Sequence, residues 1–577
     1  MDYKRPQQNM IRLPAWRRRV LLICLLLGFM LLMLQSVYLQ NTKKDFLQKK
    51  GSDRYSRTLK LQADRGSISD RNGEILAVNS PVESVWANPS RVEISAKQKR
   101  ALAKLLKIKT KTIDRKLANK KRAFVYIKRR ISPDLAKQVK DLGISGVNLE
   151  QEYRRFYPAG DVISHVVGFT GIDGVGQEGM ELMQNEMLSG LAGKRRVIKD
   201  RKGRIVEELE VISEPRDGQE LVLSIDRRIQ YLVFRELAKA VVSYKAKAAS
   251  AVMLDAKTGE VLAMVNFPTY NPNNPKNIRG KTRNRAVTDM FEPGSTMKPV
   301  AAAAGMQYGG YTPTTKIDTS LGYLKIGPAT IHDTHPNGFL SVAEVVKISS
   351  NVGAAKIALS LDRKELWNTF KQLGFGTRTK VGFPGEARGK VRDYKTWRPI
   401  EQATMSYGHG ISVTLLQLAR AYTVFANNGE LKPVSLIKID KVPEGRQVFS
   451  AKVANDVKDM LEMVVQPGGT GIKAQVAGYR VAGKTGTAHK LGAHGYEKNK
   501  YVGSFVGMAP ASNPRLIMAV MIDEPTTGDY YGGTVAAPVF SAVMADVLRL
   551  LAVPQDAPND NVVIPSLDAL EDVKEMV

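Results

Sequence analysis

Pro293-Gly294-Ser295-Thr296-Met297-Lys298-Pro299 opens an alanine-rich run that continues to Met306. Proline and glycine break the chain just before Ser295, and the residues after it favour a helix, so Ser295 is expected in the first helical turn. Pro299 is tolerated there because first-turn amides lack helical partners. On such a helix an i, i+3 spacing stacks Lys298 on the face that carries Ser295. A serine hydroxyl is a weak nucleophile that needs a base, and a lysine serves as that base only when neutral.

Two further motifs follow in order, Ser349-Ser350-Asn351 and Lys484-Thr485-Gly486-Thr487. Lys484 is expected to be the nearby cation that, together with burial, lowers the pKa of Lys298. The amide at the helix start and a strand amide near Thr487 could supply an oxyanion site. Each motif alone is weak. Ser435-Leu436-Ile437-Lys438 repeats the Ser-x-x-Lys spacing, but in an alternating, strand-like run where i and i+3 face opposite sides. Lys257-Thr258-Gly259 repeats Lys-Thr-Gly, but inside a turn, where glycine supplies a positive φ.

That turn joins two apolar strands, 250–255 and 260–265, into a hairpin. Just upstream, 220–225 reads as a strand and 226–243 as a helix with Asp226 as its N-cap. Helical patterns dominate from Ser295 to about Asn427. Strands return at 479–481, 500–509 and 516–522, and a terminal helix covers about 537–551. Strands at both ends with helices between predict a mixed α+β domain built on one sheet closed from both termini.

Residues 41–220 read as a separate module of short strands and helices, with Asn72-Gly73 as a tight hairpin turn. From Arg91 to Arg130 sixteen Lys or Arg stand against two acids, and Leu102, Leu105 and Leu106 fall at helical spacing. This is a solvated basic helix pair, or a surface for anionic lipid or glycan. The expected division is 1–19 tail, 20–40 membrane helix, 41–220 pedestal, 221–553 catalytic domain and 554–577 loose tail.

The whole chain has 577 residues, more than one ordinary domain, and a formal charge of +30. The basic residues are spread widely without a nucleic-acid-binding signature, so a nucleic-acid partner is not expected, and a basic surface facing anionic lipid or an acidic polymer fits better. The lone Cys24 excludes a disulfide framework, and six scattered histidines offer no metal-ligand spacing, so neither cofactor nor metal is expected.

Residues 20–34 are almost unbroken Leu, Ile, Val, Met and Phe, and weaker apolar character through Leu39 brings the segment to the length of a membrane span. Lys4, Arg5, Arg12, Arg17, Arg18 and Arg19 precede it, and Trp16 and Tyr38 sit at the expected interfaces, which predicts a cytoplasmic N-terminus. A cleaved signal peptide needs a small-x-small site, and Gln35-Ser36-Val37-Tyr38-Leu39-Gln40 has none.

The ordered trio resembles that of penicillin-binding proteins and related β-lactamases. From the apolar segment to about Leu551 the chain resembles class B penicillin-binding proteins, most closely the division-specific type. Further carriers are Arg65-Gly66, Asp70-Arg71-Asn72-Gly73, Gly176 to Glu181, Arg398 to Gly410, and Tyr530-Tyr531-Gly532-Gly533. The resemblance implies an elongated pedestal and a transpeptidase domain whose central antiparallel sheet is flanked by helices.

It also implies an activity: Ser295 attacks the penultimate D-Ala carbonyl of a stem pentapeptide, releases terminal D-Ala, and passes the acyl group to a neighbouring stem amine. Lys298 is then the base, Ser349 relays a proton, and Asn351 holds the substrate amide and Lys298. Lys484, Thr485, Gly486 and Thr487 form the wall that binds the terminal carboxylate. Implied partners are peptidoglycan stems and lipid II-derived glycan, β-lactam antibiotics, a membrane-embedded lipid II glycosyltransferase, other divisome membrane proteins and the inner membrane. An elongation-type transpeptidase, a D,D-carboxypeptidase and a non-catalytic scaffold remain the alternatives, and the retained anchor and pedestal argue against a β-lactamase.

Overall fold

The computed structural model describes residues 14–61, 63–199, 205–274, 278–492 and 495–563. Lys4, Arg5, Arg12, His494 and the end of the C-terminal tail lie outside them. The chain divides into two compact units, Met1–Ala63 with Leu191–Asp217, and Asp64–Gly190 with Gly218–Val577.

In the first unit the helix Ala15–Val37 is exposed along its whole length, and it is long and apolar enough to cross a membrane. It starts ahead of Arg17, Arg18 and Arg19, so the arginines form part of its first turns. A three-stranded antiparallel sheet orders Ser56–Leu61, Gly193–Lys199 and Ile205–Ser213.

The second unit contains two larger sheets. In one, Ile75–Ala87 pairs with Ile68–Ser69, Val125–Ile131 and Val147–Phe156, while Leu221–Val222 adds in parallel to Ile68–Ser69. The Asn72-Gly73 turn stands where expected, with Gly73 at φ +87° and Asp70 Oδ1 accepting from the Asn72 amide. The basic stretch forms the helices Ala96–Leu105 and Thr110–Leu117; Leu102, Ile113 and Leu117 on them, and Leu106 just after the first, are buried in one cluster. The strand expected at 220–225 is reduced to Leu221–Val222, because Leu223 bridges Ile437 of another segment instead.

The other sheet is five-stranded and antiparallel throughout, in the order Val261–Phe267, Ala248–Asp255, Leu516–Asp523, Gly495–Ala509, Ala482–Gly492. Alternation divides its side chains between two cores. Ala249, Ala251 and Met253 face Ile229, Leu237 and Phe540 of the helices Arg227–Ser243 and Ala537–Leu550. Val252 and Leu254 face the opposite core, which holds Val300, Ala303, Phe370 and Tyr422. Both strand faces are therefore apolar, and every residue of Ala248–Asp255 is buried. Fully burying a side chain such as Leu237 or Phe540 is worth roughly 1.5–3 kcal/mol. The expected α+β class, with one sheet built from both ends of the domain, is what the chain adopts. Asp226 caps its helix through the Arg228 amide, as expected.

Three further expectations need correction. The strand expected at 479–481 begins at Ala482 and runs to Gly492, so it carries the whole Lys484–Thr487 motif. The span from Ser295 to Asn427 is not purely helical: two short hairpins, Tyr323–Ile326 with Ala329–His332 and Lys316–Asp318 with Phe339–Ser341, interrupt it. Ser295 itself lies in a 3-10 turn, Gly294–Met297, and the α-helix begins at Lys298.

Candidate active site

Pro293 and Gly294 bend the chain into the Ser295 turn, and Thr296 Oγ1 donates to Pro293 O at 2.8 Å to close it. The Tyr422 hydroxyl donates to Thr296 O at 2.8 Å from the core beneath. The helix Lys298–Tyr308 is buried from Lys298 to Gly305, and small alanines let neighbouring helices approach it on all sides. The turn is therefore held rigidly while Ser295 opens on a cavity of about 400 Å³.

Lys298, Ser349, Asn351 and Thr487 line that cavity with Ser295. Lys298 is 1% exposed. Its Nζ donates to Ser349 Oγ at 3.0 Å and to Ser349 O. Burial lowers its pKa to about 7, and the negative charge of Asp333 works in the other direction. Lys484 is fully buried, and its Nζ donates to the same Ser349 Oγ at 3.0 Å and to Thr485 O and Oγ1 at 3.3 Å. Burial first, then the Lys298 charge, hold Lys484 well below the usual lysine range.

Sequence spacing placed Lys298 against Ser295, but the structure places its amine on Ser349. Among the described residues Ser295 Oγ has no hydrogen-bond partner. Burial is the largest influence on each lysine, and the two amines, which share Ser349 Oγ, repel each other when both are charged, as expected. Ser349 Oγ thus stands between the two lysine amines and borders the cavity.

Ser349 sits at φ +68°, a conformation that costs a non-glycine residue on the order of 1–3 kcal/mol and persists only where neighbours enforce it. The enforcing group is Asp333. Its Oδ2 accepts from Ser350 Oγ at 2.6 Å, and its Oδ1 accepts from the amides of Asn351 at 2.5 Å and Val352 at 3.0 Å. A carboxylate thus caps the helix Asn351–Leu359, whose start carries the motif. Asn351 Nδ2 donates to His332 O at 3.1 Å, so Asn351 borders the cavity without reaching Lys298.

On the Ala482–Gly492 strand, Thr487 is half-buried on the cavity wall, and its Oγ1 accepts from the Gly532 amide at 3.1 Å. Thr485 is buried away from it, with its hydroxyl 2.8 Å from that of Thr470. Gly486 is required by close approach: a Cβ there would stand 2.8 Å from Pro293 O and 2.6 Å from Ser504 Oγ. A Cβ on Gly294 would likewise stand 3.0 Å from Thr487 O. The strand and the Ser295 turn are pressed backbone to backbone, which brings both expected oxyanion donors to one place.

Sequence reasoning assigned no role to His332, which ends the hairpin strand Ala329–His332, or to Asp333 and His335 in the segment after it, all of which reach the cavity. It also gave none to Tyr407, His409, Tyr501, Tyr530 or Tyr531, which complete the wall. A signal was present in Tyr407-Gly408-His409: Gly408 has φ +85°, and a Cβ on it would stand 2.3 Å from Gly294 O. The decoys behave as expected: Ser435 and Ile437 make strand bridges, and Gly259 takes φ +76° in its turn.

Comparison with known proteins agrees with this architecture. Residues 249–545 match the family described as penicillin binding protein transpeptidase domain, and 60–223 match the penicillin-binding protein dimerisation domain. PenA of Neisseria meningitidis is 42% identical over 96% of each chain. The peptidoglycan D,D-transpeptidase FtsI of Escherichia coli is 41% identical over 94% of this chain and 93% of its own. The apo transpeptidase domain of Burkholderia pseudomallei penicillin-binding protein 3 is 48% identical, covers 58% of this chain and 98% of its own, and superposes with a TM-score of 0.54. With its dimerisation domain, its transpeptidase domain and near full-length relatives, the chain belongs to the class B penicillin-binding proteins.

Proposed function

We propose that this chain is the peptidoglycan D,D-transpeptidase that cross-links stem peptides at the division septum, with Ser295 as the acylated residue. The observation that carries the assignment is the pair of buried lysine amines, each 3.0 Å from the Oγ of Ser349, a residue that lines the cavity on which Ser295 opens.

A lysine poised near pH 7 can be neutral when the substrate arrives. Lys298 takes the Ser295 proton as Oγ attacks the penultimate D-Ala carbonyl. The backbone amides of Ser295 and Thr487 receive the oxyanion. Ser349, hydrogen-bonded to both lysines, passes a proton to the departing D-Ala nitrogen. Asn351 orients the substrate amide. Thr487 holds the terminal carboxylate, with Lys484 behind it as the positive charge. Thr485 supports that wall from within, through Thr470 and Lys484. Gly486 keeps it close to the nucleophile. An amine of a second stem then resolves the acyl-enzyme.

The same reading makes Ser295 the residue that β-lactams trap. Ala15–Val37 anchors the chain as a single pass in the inner membrane, with the N-terminus cytoplasmic, residues 41–220 as pedestal, and 221–553 acting outside the cytoplasm. Polymerisation of glycan from lipid II is left to a membrane-embedded glycosyltransferase partner within the division machinery.

Ser295→Ala tests the chemistry. The variant is expected to lose labelling by fluorescent penicillin and release of D-Ala from a stem pentapeptide; labelling that persists on another residue overturns the assignment. With an acceptor amine present, cross-linked product is expected, whereas free tetrapeptide alone identifies a carboxypeptidase. A fluorescently tagged chain is expected at mid-cell during constriction, and a uniform side-wall signal overturns the septal role.

A further inference from the structure

Two imidazoles, His409 and His489, enter the same cavity as Ser295 on segments that carry neither Lys298 nor Ser349. His409 follows Gly408, whose backbone is pressed against Gly294, the residue before the nucleophile. His489 lies two residues beyond Thr487 on the Ala482–Gly492 strand. Tyr496 of the adjacent strand joins them, with ring centroids 6.2 Å from His409 and 6.3 Å from His489. Its hydroxyl donates to Glu292 Oε2 at 2.9 Å, and the Gly410 amide donates to Oε1 at 2.9 Å. Glu292 is thereby fixed three residues before Ser295 and beside His409. Among the described residues neither imidazole has a hydrogen-bond partner.

The charged and titratable groups around His409 are Glu292 before the Ser295 turn, Lys298 on its helix, His489 and Tyr496 on the two strands, and Tyr407 in its own turn. Burial is the largest influence and lowers the His409 pKa from its ordinary value, His489 and Lys298 push the same way, and Glu292 opposes them. His409 is therefore neutral at pH 7, in the state that can receive a proton.

The second half of the reaction needs such a group. An acceptor amine reaches the site as an ammonium, which has no free electron pair, and it must lose two N–H protons: one travels through Lys298 to Ser295 Oγ, and the other needs a second acceptor. We propose that His409 accepts the proton of the incoming stem amine, and so acts as a second catalytic base dedicated to acyl transfer. This role rests on Ser295 being the acylated residue.

The step balances. The His409 ring takes one N–H proton and frees the nitrogen pair. That pair forms the C–N bond at the acyl carbon while the carbonyl π pair moves onto oxygen. Collapse restores the carbonyl and breaks the bond to Ser295 Oγ. A second N–H proton travels through Lys298 to Oγ. His409 then returns its proton to solvent, so ammonium and acyl ester give amide, free serine and one released proton.

The test uses the full chain, a stem-peptide donor, and two acceptors of different basicity: an ε-amine with a pKa of ~10.4, and hydroxylamine, whose nitrogen is already neutral at pH 7. In His409→Gln, transfer to the ε-amine is expected to fall about a hundredfold, with transfer to hydroxylamine and acylation by labelled penicillin within about twofold of the unsubstituted chain. Equal losses with both acceptors, or no loss, overturn the proposal, as does an acceptor-dependent loss in His489→Gln but not in His409→Gln. The unsubstituted chain gives an independent reading. Its rate ratio of ε-amine to hydroxylamine is expected to stay flat from pH 7 to 9, whereas a rise of about tenfold per pH unit, the mark of deprotonation in solution, overturns the proposal. Failure of the acyl-enzyme reading would show separately, as penicillin labelling that survives Ser295→Ala.

Discussion

Asp333 Oδ1 accepts the amide proton of Asn351 at 2.5 Å, and so fixes the turn that holds Ser349 between two lysines. Losing the charge of such a cap costs about 1 kcal/mol. Asp333→Asn is expected to lower the thermal midpoint and to slow labelled-penicillin acylation about tenfold, the effect of ~1.4 kcal/mol on a barrier. Because the Asp333 charge raises the Lys298 pKa, the acid limb of the acylation profile is expected to move to lower pH. An unchanged rate and profile would remove Asp333 from this role.

With Lys298 as the proposed base, acylation needs it neutral, so the rate is expected to rise through pH about 7 and level off above. The same depressed pKa opposes folding. An unfolded chain holds the Lys298 proton up to about pH 10.5, so stability contributed at this site rises with pH between about 7 and 10.5. Lys298→Met is expected to be inactive yet more stable. Its advantage in urea midpoint should be greatest below pH 7 and shrink as the pH rises through that window. A constant advantage across pH would contradict the assignment.

Gly408→Ala places a Cβ 2.3 Å from Gly294 O and forces a side chain onto φ +85°. The strain is on the order of 1–3 kcal/mol, and relief can come only from movement of the Ser295 turn. Slower penicillin acylation in a chain of nearly unchanged circular dichroism is the expected result.

Glu181 lies fully buried between Arg65 at 2.6 Å and Arg155 at 2.7 Å. Removing one partner of such a cluster typically costs 3–5 kcal/mol, since the remaining charges stay buried without compensation. Glu181→Gln is expected to lower the urea midpoint strongly; a shift below about 1 kcal/mol would show that water or a neighbour replaces the carboxylate.

Much of this was legible in the chain itself. The Pro-Gly break and alanines marked the Ser295 turn, alternation marked the hairpin around Gly259, and Asp226 announced its helix. What escaped notice depended on tertiary contact. Ala482 and Gly483 lack the β-branched residues that signal a strand, yet they form one because its neighbour and the Ser295 turn demand a thin backbone. Asp333 lies between short hairpins with no periodicity, and its meaning appears only when the Ser350 and Asn351 groups arrive opposite it. Spacing could align Lys298 with Ser295, but not show that Ser349 would claim both lysines.

The order of strands in the central sheet has a consequence for biosynthesis. Ala248–Asp255 pairs at once with Val261–Phe267 but finds its second neighbour only in Leu516–Asp523, and Lys484 rides on the strand at the far edge of the late-arriving trio. A polypeptide delivered N-terminus first therefore displays Ser295 long before the second lysine and the closing strands exist. On the proposed assignment, a partly emerged chain is expected neither to carry out the chemistry nor to be captured by a β-lactam until the late strands have joined the sheet.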